Sequence, residues 1–240
     1  MRIRISSAPS ILAATAAVAA IAVSGCSAAE AFPTFSSNAR SSSAPATSSF
    51  DASAALSKLD TLPVKGRAPK TGYDRGQFGQ AWTDDVTLEG GHNGCDGRND
   101  ILRRDLVDVT YKPNTKDCVV SAGTLHDVYT DATIKFTRGQ NTSTAVQIDH
   151  VVALSDAWQK GAQQLTAEQR KNLANDPRNL QAVDGPTNGQ KSDSDAASWL
   201  PPNKAYRCTY VSRQIDVKSL YSLWITQAEK EAMQRVLANC

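Results

Sequence analysis

Asp149 and His150 stand side by side at the end of the apolar run "VQIDHVV", in a chain that has only three histidines. A core strand containing Val146, Ile148, Val151 and Val152 has no packing use for an imidazole there. Catalysis does have a use for it. An imidazole titrates near neutral pH and can take a proton from water, and the carboxylate beside it is a hard oxygen ligand for a cation. Further polar positions follow in "NDPRNLQAVDGPTNGQKSD" (175–193), where Asn179 opens a short apolar run and Asn188 lies near a helix start, with Lys191 one turn further on. An amide oxygen can ligate a hydrated cation, and a lysine can neutralise an anion. Taken singly, each has a plainer role: a structural Asp–His pair, a turn asparagine, a helix N-cap, a solvated lysine. The ordered set is what points to chemistry.

These residues need elements to carry them. The spacing of Ala54, Leu56, Leu59 and Leu62 predicts a helix over 53–62, and Ile101, Leu102 and Leu106 share a helical face in "GRNDILRRDL" (97–106). Residues 71–85 read as loop. Between 107 and 136, "LVDVTYK", "CVVSAGTL" and "ATIKF" alternate with turn-rich segments, which predicts a small antiparallel sheet. "QIDHVV" is the next strand, followed by a helix over 153–162 that ends at Gly161. A second helix over 166–176 has Thr166 and Gln169 spaced as a capping box and stops at Pro177. "NLQAV" (179–183) is a short strand, and a helix starts near Pro186–Thr187 and runs to "WLPP". Near the C-terminus Thr226 and Glu229 form a further capping-box pair. Upstream, Arg98 and Arg103 could grip phosphate as a fork, or else pair with Asp100 on a surface helix. His92 and His126 lack such a context, and Trp82, Trp158, Trp199 and Trp224 read as core or rim packing.

The N-terminus bounds where this chemistry takes place. Arg2 and Arg4 precede the apolar stretch 11–23, which is too short and too alanine-rich for a comfortable membrane span, and "VSGC" (23–26) has the form of a lipobox with Cys26 as the acylated residue. Residues 1–26 are therefore expected to be a lipoprotein signal peptide. The Ser/Ala/Pro-rich residues 27–52 are expected to be a flexible linker, and 53–240 a single folded domain outside the membrane. Loss of Arg2 and Arg4 takes the formal charge of +2 close to neutral, which argues against a protein that coats nucleic acid through net charge. Besides Cys26, four cysteines remain. Outside the cytosol they suggest two disulfides, and of three possible pairings Cys95–Cys118 with Cys208–Cys240 closes the most local loops.

The order Asp-His, connecting helices, Asn, short strand, Asn-x-x-Lys resembles the HNH nuclease motif of the ββα-metal fold, and "NGQKSD" resembles its last segment. From "FGQAWTDD" through "GCDGRNDILRRDL" and "IDHVVALSDAW" to "KSD", the chain is similar to secreted actinobacterial HNH endonuclease family proteins, relatives of the C-terminal domain of GmrSD-type restriction endonucleases. The resemblance implies an α+β single domain in which a ββα-metal motif (147–193) lies among a small antiparallel sheet and surrounding helices. It implies His150 as general base, Asn179 orienting the imidazole, Asp149 and Asn188 on a divalent metal, and Lys191 on the phosphate. Mg²⁺ suits one carboxylate and one amide, and Mn²⁺ is accommodated as well. Asn188 stands where the motif's last letter is His, which leaves the metal preference open. The expected activity is metal-dependent, extracytoplasmic endonuclease cleavage of DNA, with RNA as a second substrate class, by a monomer that meets the membrane only through its lipid. Two alternatives stay open: a nuclease fold that has lost catalysis and serves as a binding or envelope module, and a phosphodiesterase acting on a non-nucleic polymer.

Overall fold

The computed structural model describes residues 51–240; the signal segment, Cys26 and nearly all of the expected linker lie outside the described residues. Asp51 and Ala52, placed in the linker from sequence, instead begin the first helix: Asp51 caps α1 (Ala52–Thr61) by accepting from the Ala54 amide. The remaining elements are α2 (Gly97–Asp105), β1 (Leu106–Tyr111), β2 (Val120–His126), β3 (Thr133–Thr137), β4 (Val146–His150), α3 (Leu154–Gln159), α4 (Ala167–Asn175), β5 (Leu180–Asp184), α5 (Gly185–Lys191), α6 (Arg207–Leu220) and α7 (Gln227–Leu237). Both predicted capping boxes are present, at Thr166–Gln169 and at Thr226–Glu229. The architecture is α+β, with an antiparallel β1-β2-β3 sheet and a separate antiparallel β4-β5 pair.

Strand alternation assigns the two faces of β4. Val146 and Ile148 enter a core with Ile101, Leu102, Leu106, Val120, Leu125, Phe136, Leu180 and Ala182, so α2 and both sheets share one apolar interior. Gln147 and Asp149 face the other way, towards α5: Asn188 Nδ2 donates to Gln147 Oε1 and Lys191 Nζ donates to Asp149 Oδ1. β4, β5 and α5 thus form the ββα unit, with α3 and α4 inserted between its strands.

α5 follows β5 with no intervening loop. Asp184 caps it from the Thr187 amide at 2.8 Å, and Pro186 occupies its first turn. Gly185 is required there, because a Cβ would lie 2.0 Å from the Thr144 carbonyl oxygen. The helix is shorter than its sequence suggests. It ends at Lys191, and Ser192 takes a left-handed φ of 51°, so the polar run to "WLPP" does not continue it.

A second core gathers Phe78, Trp158, Leu173, Tyr221 and Leu223, and a third packs α1, α6 and α7 around Tyr129, Val151 and Val183. Between them lies a buried ionic cluster. Lys160 pairs with Asp156, Asp195 and Glu229 at 2.8, 2.7 and 2.5 Å; Lys218 pairs with Asp156 and Glu229; and Arg67 pairs with Asp156 and Asp195. Three cations meet three carboxylates, so the cluster carries no net charge into the interior. Cys95 is bonded to Cys118 with Cα atoms 5.1 Å apart, and Cys208 to Cys240 with Cα atoms 5.9 Å apart, the latter fastening α7 to α6.

Candidate active site

His150 is the last residue of β4, and the chain leaves the strand immediately after it. Its Nε2 lies 2.8 Å from the carbonyl oxygen of Ala174, in the last turn of α4. A carbonyl can only accept, so Nε2 carries the proton and Nδ1 keeps its lone pair. The ring is half-buried and stacks on Trp82 at 5.9 Å between centroids and 16° between planes. Burial pushes the imidazole down to about 4, against the smaller raising effects of Ala174 and Asp149, so His150 is neutral at pH 7.

Asn179 was expected to orient the imidazole, but its contacts lie one step away. It is fully buried. Its Oδ1 accepts from the Val152 amide at 2.8 Å, its Nδ2 donates to the carbonyls of Leu173 and Val152, and its own carbonyl accepts from the Val151 amide. It therefore ties the backbone just beyond His150 to the residue before Ala174 and sets the distance that the imidazole bridges.

Lys191 departs further from expectation. It has no exposed surface, and its ammonium donates to Asp149 Oδ1 at 2.9 Å and to the His150 carbonyl at 2.8 Å. It braces the strand end from beneath and does not reach out to phosphate. Tyr129 holds the other oxygen of Asp149, donating from its hydroxyl at 2.6 Å. Nothing in the sequence around Tyr129, far upstream in a turn after β2, marked it for this role.

Two cavities meet at His150. One, of about 340 Å³, is polar and is lined by Asp149, His150, Asn188, Ser155, Asp193, Lys70 and Arg75 among others. The second, of about 240 Å³, has mainly apolar walls and shares His150 and Arg75 with the first. Arg98 and Arg103 line neither. Arg98 points inward and donates to the carbonyls of Ser143 and Val146, while Arg103 pairs with Asp100 at 2.7 Å on the surface. Arg98 therefore supports the entry to β4, and neither arginine stands beside His150. The cations that line the polar cavity are Lys70, paired with Asp193 at 3.1 Å, and Arg75, which has no carboxylate partner among the described residues. Sequence reasoning missed Arg75 because "DRGQF" carries no periodic pattern; the clue available was an arginine in a glycine-rich loop beside a capping aspartate, Asp74. His92 and His126 are exposed and remote from these cavities.

The donor set suits a hydrated divalent cation and not a closed cage. Asn188 uses Nδ2 on Gln147, which leaves Oδ1 free, and each oxygen of Asp149 accepts one hydrogen bond and retains acceptor capacity. Among the described residues no three His, Cys, Asp or Glu side chains converge as a metal cluster. A cation here would keep most of its water, which is Mg²⁺-like behaviour, and would share Asp149 with the Lys191 ammonium.

Residues 96–236 match the family described as GmrSD restriction endonucleases, C-terminal domain. An uncharacterized secreted protein of Arthroderma benhamiae is 38% identical over 191 residues, covering 79% of this chain and 86% of that protein. No solved structure matches the chain.

Proposed function

The chain belongs to the family of GmrSD restriction endonuclease C-terminal domains, and from that premise we propose that it is an extracytoplasmic, metal-dependent endonuclease with His150 as its general base. The observation that carries this reading is the fixed tautomer of His150. With Nε2 committed to Ala174 and the ring neutral, Nδ1 is a standing proton acceptor. His150 takes the proton of the attacking water, Arg75 and Lys70 attract the phosphate, and Asn179 and Lys191 keep the strand end in register with α4 and α5. A divalent cation held by Asp149 and Asn188, Mg²⁺ or Mn²⁺, would supply charge stabilisation to the phosphate and the departing oxygen. The cations lining the polar cavity suit phosphate contacts, which carry no sequence information, so cleavage is expected to have little sequence preference, with DNA the favoured substrate.

The disulfides and the secreted relative are consistent with a location outside the cytoplasm. Acylation of Cys26 is the further part of this proposal, checked by whether Cys26→Ala moves the protein from the membrane fraction to the medium. The activity is tested by incubating the protein with DNA, RNA and a non-nucleic phosphodiester polymer, in Mg²⁺ and in EDTA. The reading expects cleavage of nucleic acid only when the cation is present. Cleavage confined to the non-nucleic polymer would replace it with the phosphodiesterase alternative, and cleavage of none with the binding module.

A further inference from the structure

The smaller cavity beside His150 is not accounted for by hydrolysis. Attack on a phosphate needs the polar cavity, the base and the cations; it does not need a second chamber walled by Phe78, Trp82, Leu154 and Ala174. At about 240 Å³ this chamber is below the roughly 300–1,000 Å³ typical of pockets for drug-sized ligands, and it has room for one flat ring system. One wall is Trp82, whose backbone takes a left-handed φ of 60° and is pinned by the Gly97 amide donating to its carbonyl at 3.0 Å. A bulky residue adopts that conformation only where its surroundings impose it.

The second observation is the chamber's place beside the polar cavity. A nucleobase is a flat ring with apolar faces and suits walls of this kind. Arg75 lines both cavities, so a phosphate held at His150 would have its neighbouring base at the mouth of the chamber.

Resting on the nuclease reading, we propose that this chamber is a nucleobase pocket: it takes one unstacked base of the strand whose phosphate lies at His150, and so makes the protein selective for unpaired strands. Trp82, which is partly exposed, supplies the aromatic surface. A base within a duplex must first be unstacked and unpaired to enter, a cost that a single strand largely avoids.

The test uses the protein with one single-stranded oligonucleotide, the same strand carrying an abasic residue at each position in turn, and the duplex. With Mg²⁺, an abasic residue beside a given bond should slow cleavage of that bond roughly 5- to 140-fold, the worth of stacking one base on an aromatic ring. The duplex should be cut more slowly than the single strand. Trp82 also stacks on His150, so Trp82→Ala is read as a ratio: whatever its overall rate, it should cleave intact and abasic strands at nearly equal rates. Trp82→Leu, which keeps apolar bulk but has no aromatic face, should reduce the same preference if Trp82→Ala fails to fold. Equal cleavage of intact, abasic and duplex strands overturns the pocket while leaving the nuclease reading standing. Should no strand be cut, the nuclease reading fails by itself. The pocket is then judged by fluorescence anisotropy of the same strands, where tighter binding of the intact strand supports it and equal affinities overturn it.

Discussion

The imidazole of His150 and the carbonyl of Ala174, 2.8 Å apart, join the end of a strand to the end of a helix. That contact chooses which nitrogen is basic. Its length is governed by Asn179, which grips Val152 on one side and Leu173 on the other. Replacing Asn179 by Ala leaves a buried amide and two carbonyls without partners and should cost about 1–3 kcal/mol in denaturant melts. Turnover should fall more than substrate affinity, because the base is displaced and the cations are not. An Asn179→Ala protein of unchanged stability and turnover would contradict this positioning role.

Lys191 provides a sharper contrast between structural and substrate roles. Its ammonium is the buried partner of Asp149, so Lys191→Met strands a carboxylate in the interior. Losing one member of such a pair costs about 3–5 kcal/mol. Chemical denaturation should show that loss directly. A folded Lys191→Met protein of native stability, weakened only in substrate binding, would return Lys191 to the phosphate.

The two arginines Arg75 and Arg98 should separate in opposite ways. Arg75→Ala should raise KM for nucleic acid several-fold, increasingly so at low salt, and leave the unfolding free energy within about 0.5 kcal/mol of native, as expected for an exposed side chain. Arg98→Ala removes donors from the Ser143 and Val146 carbonyls and should lower the melting temperature with KM unchanged. The reverse pattern would restore the phosphate role that sequence spacing suggested for Arg98.

Much of this arrangement was legible before the fold was known, and the reason is local physics. Capping boxes, strand alternation and the break at Pro177 are written within a few residues, so α4, β4 and β5 were predictable, as was the nearness of Asp149, His150 and Asn188 once their order was noticed. Three things were not legible. Lys191 looked like a solvated lysine because its burial depends on Asp149, 42 positions earlier. Tyr129 and Ala174 act through a hydroxyl and a backbone carbonyl placed by tertiary packing. The end of α5 depends on Ser192 adopting a left-handed turn that the polar sequence does not announce.

Acid should loosen the buried ionic cluster in a defined window. Burial by itself would raise Asp195, but Lys160, Arg67 and Lys218 outweigh it and hold its carboxyl down at about 2, against 3.8 for the free group. A depressed carboxylate adds stability that is complete above the unfolded value and is lost as pH falls towards the folded one. Melting temperature should therefore drop between about pH 4 and pH 2. Asp195→Asn should start lower at neutral pH and show a shallower fall across that window. Parallel acid profiles for the two proteins would remove Asp195 from this explanation.

The most direct test of the central claim is chemical rescue at His150. His150→Ala should keep its melting temperature near native and lose phosphodiester cleavage by about 10²- to 10⁴-fold, the usual worth of a positioned base. Free imidazole in the Mg²⁺ buffer should then restore part of the rate in proportion to its unprotonated form. A His150→Ala protein that cleaves at the native rate, with or without imidazole, would contradict the assignment of His150 as the base.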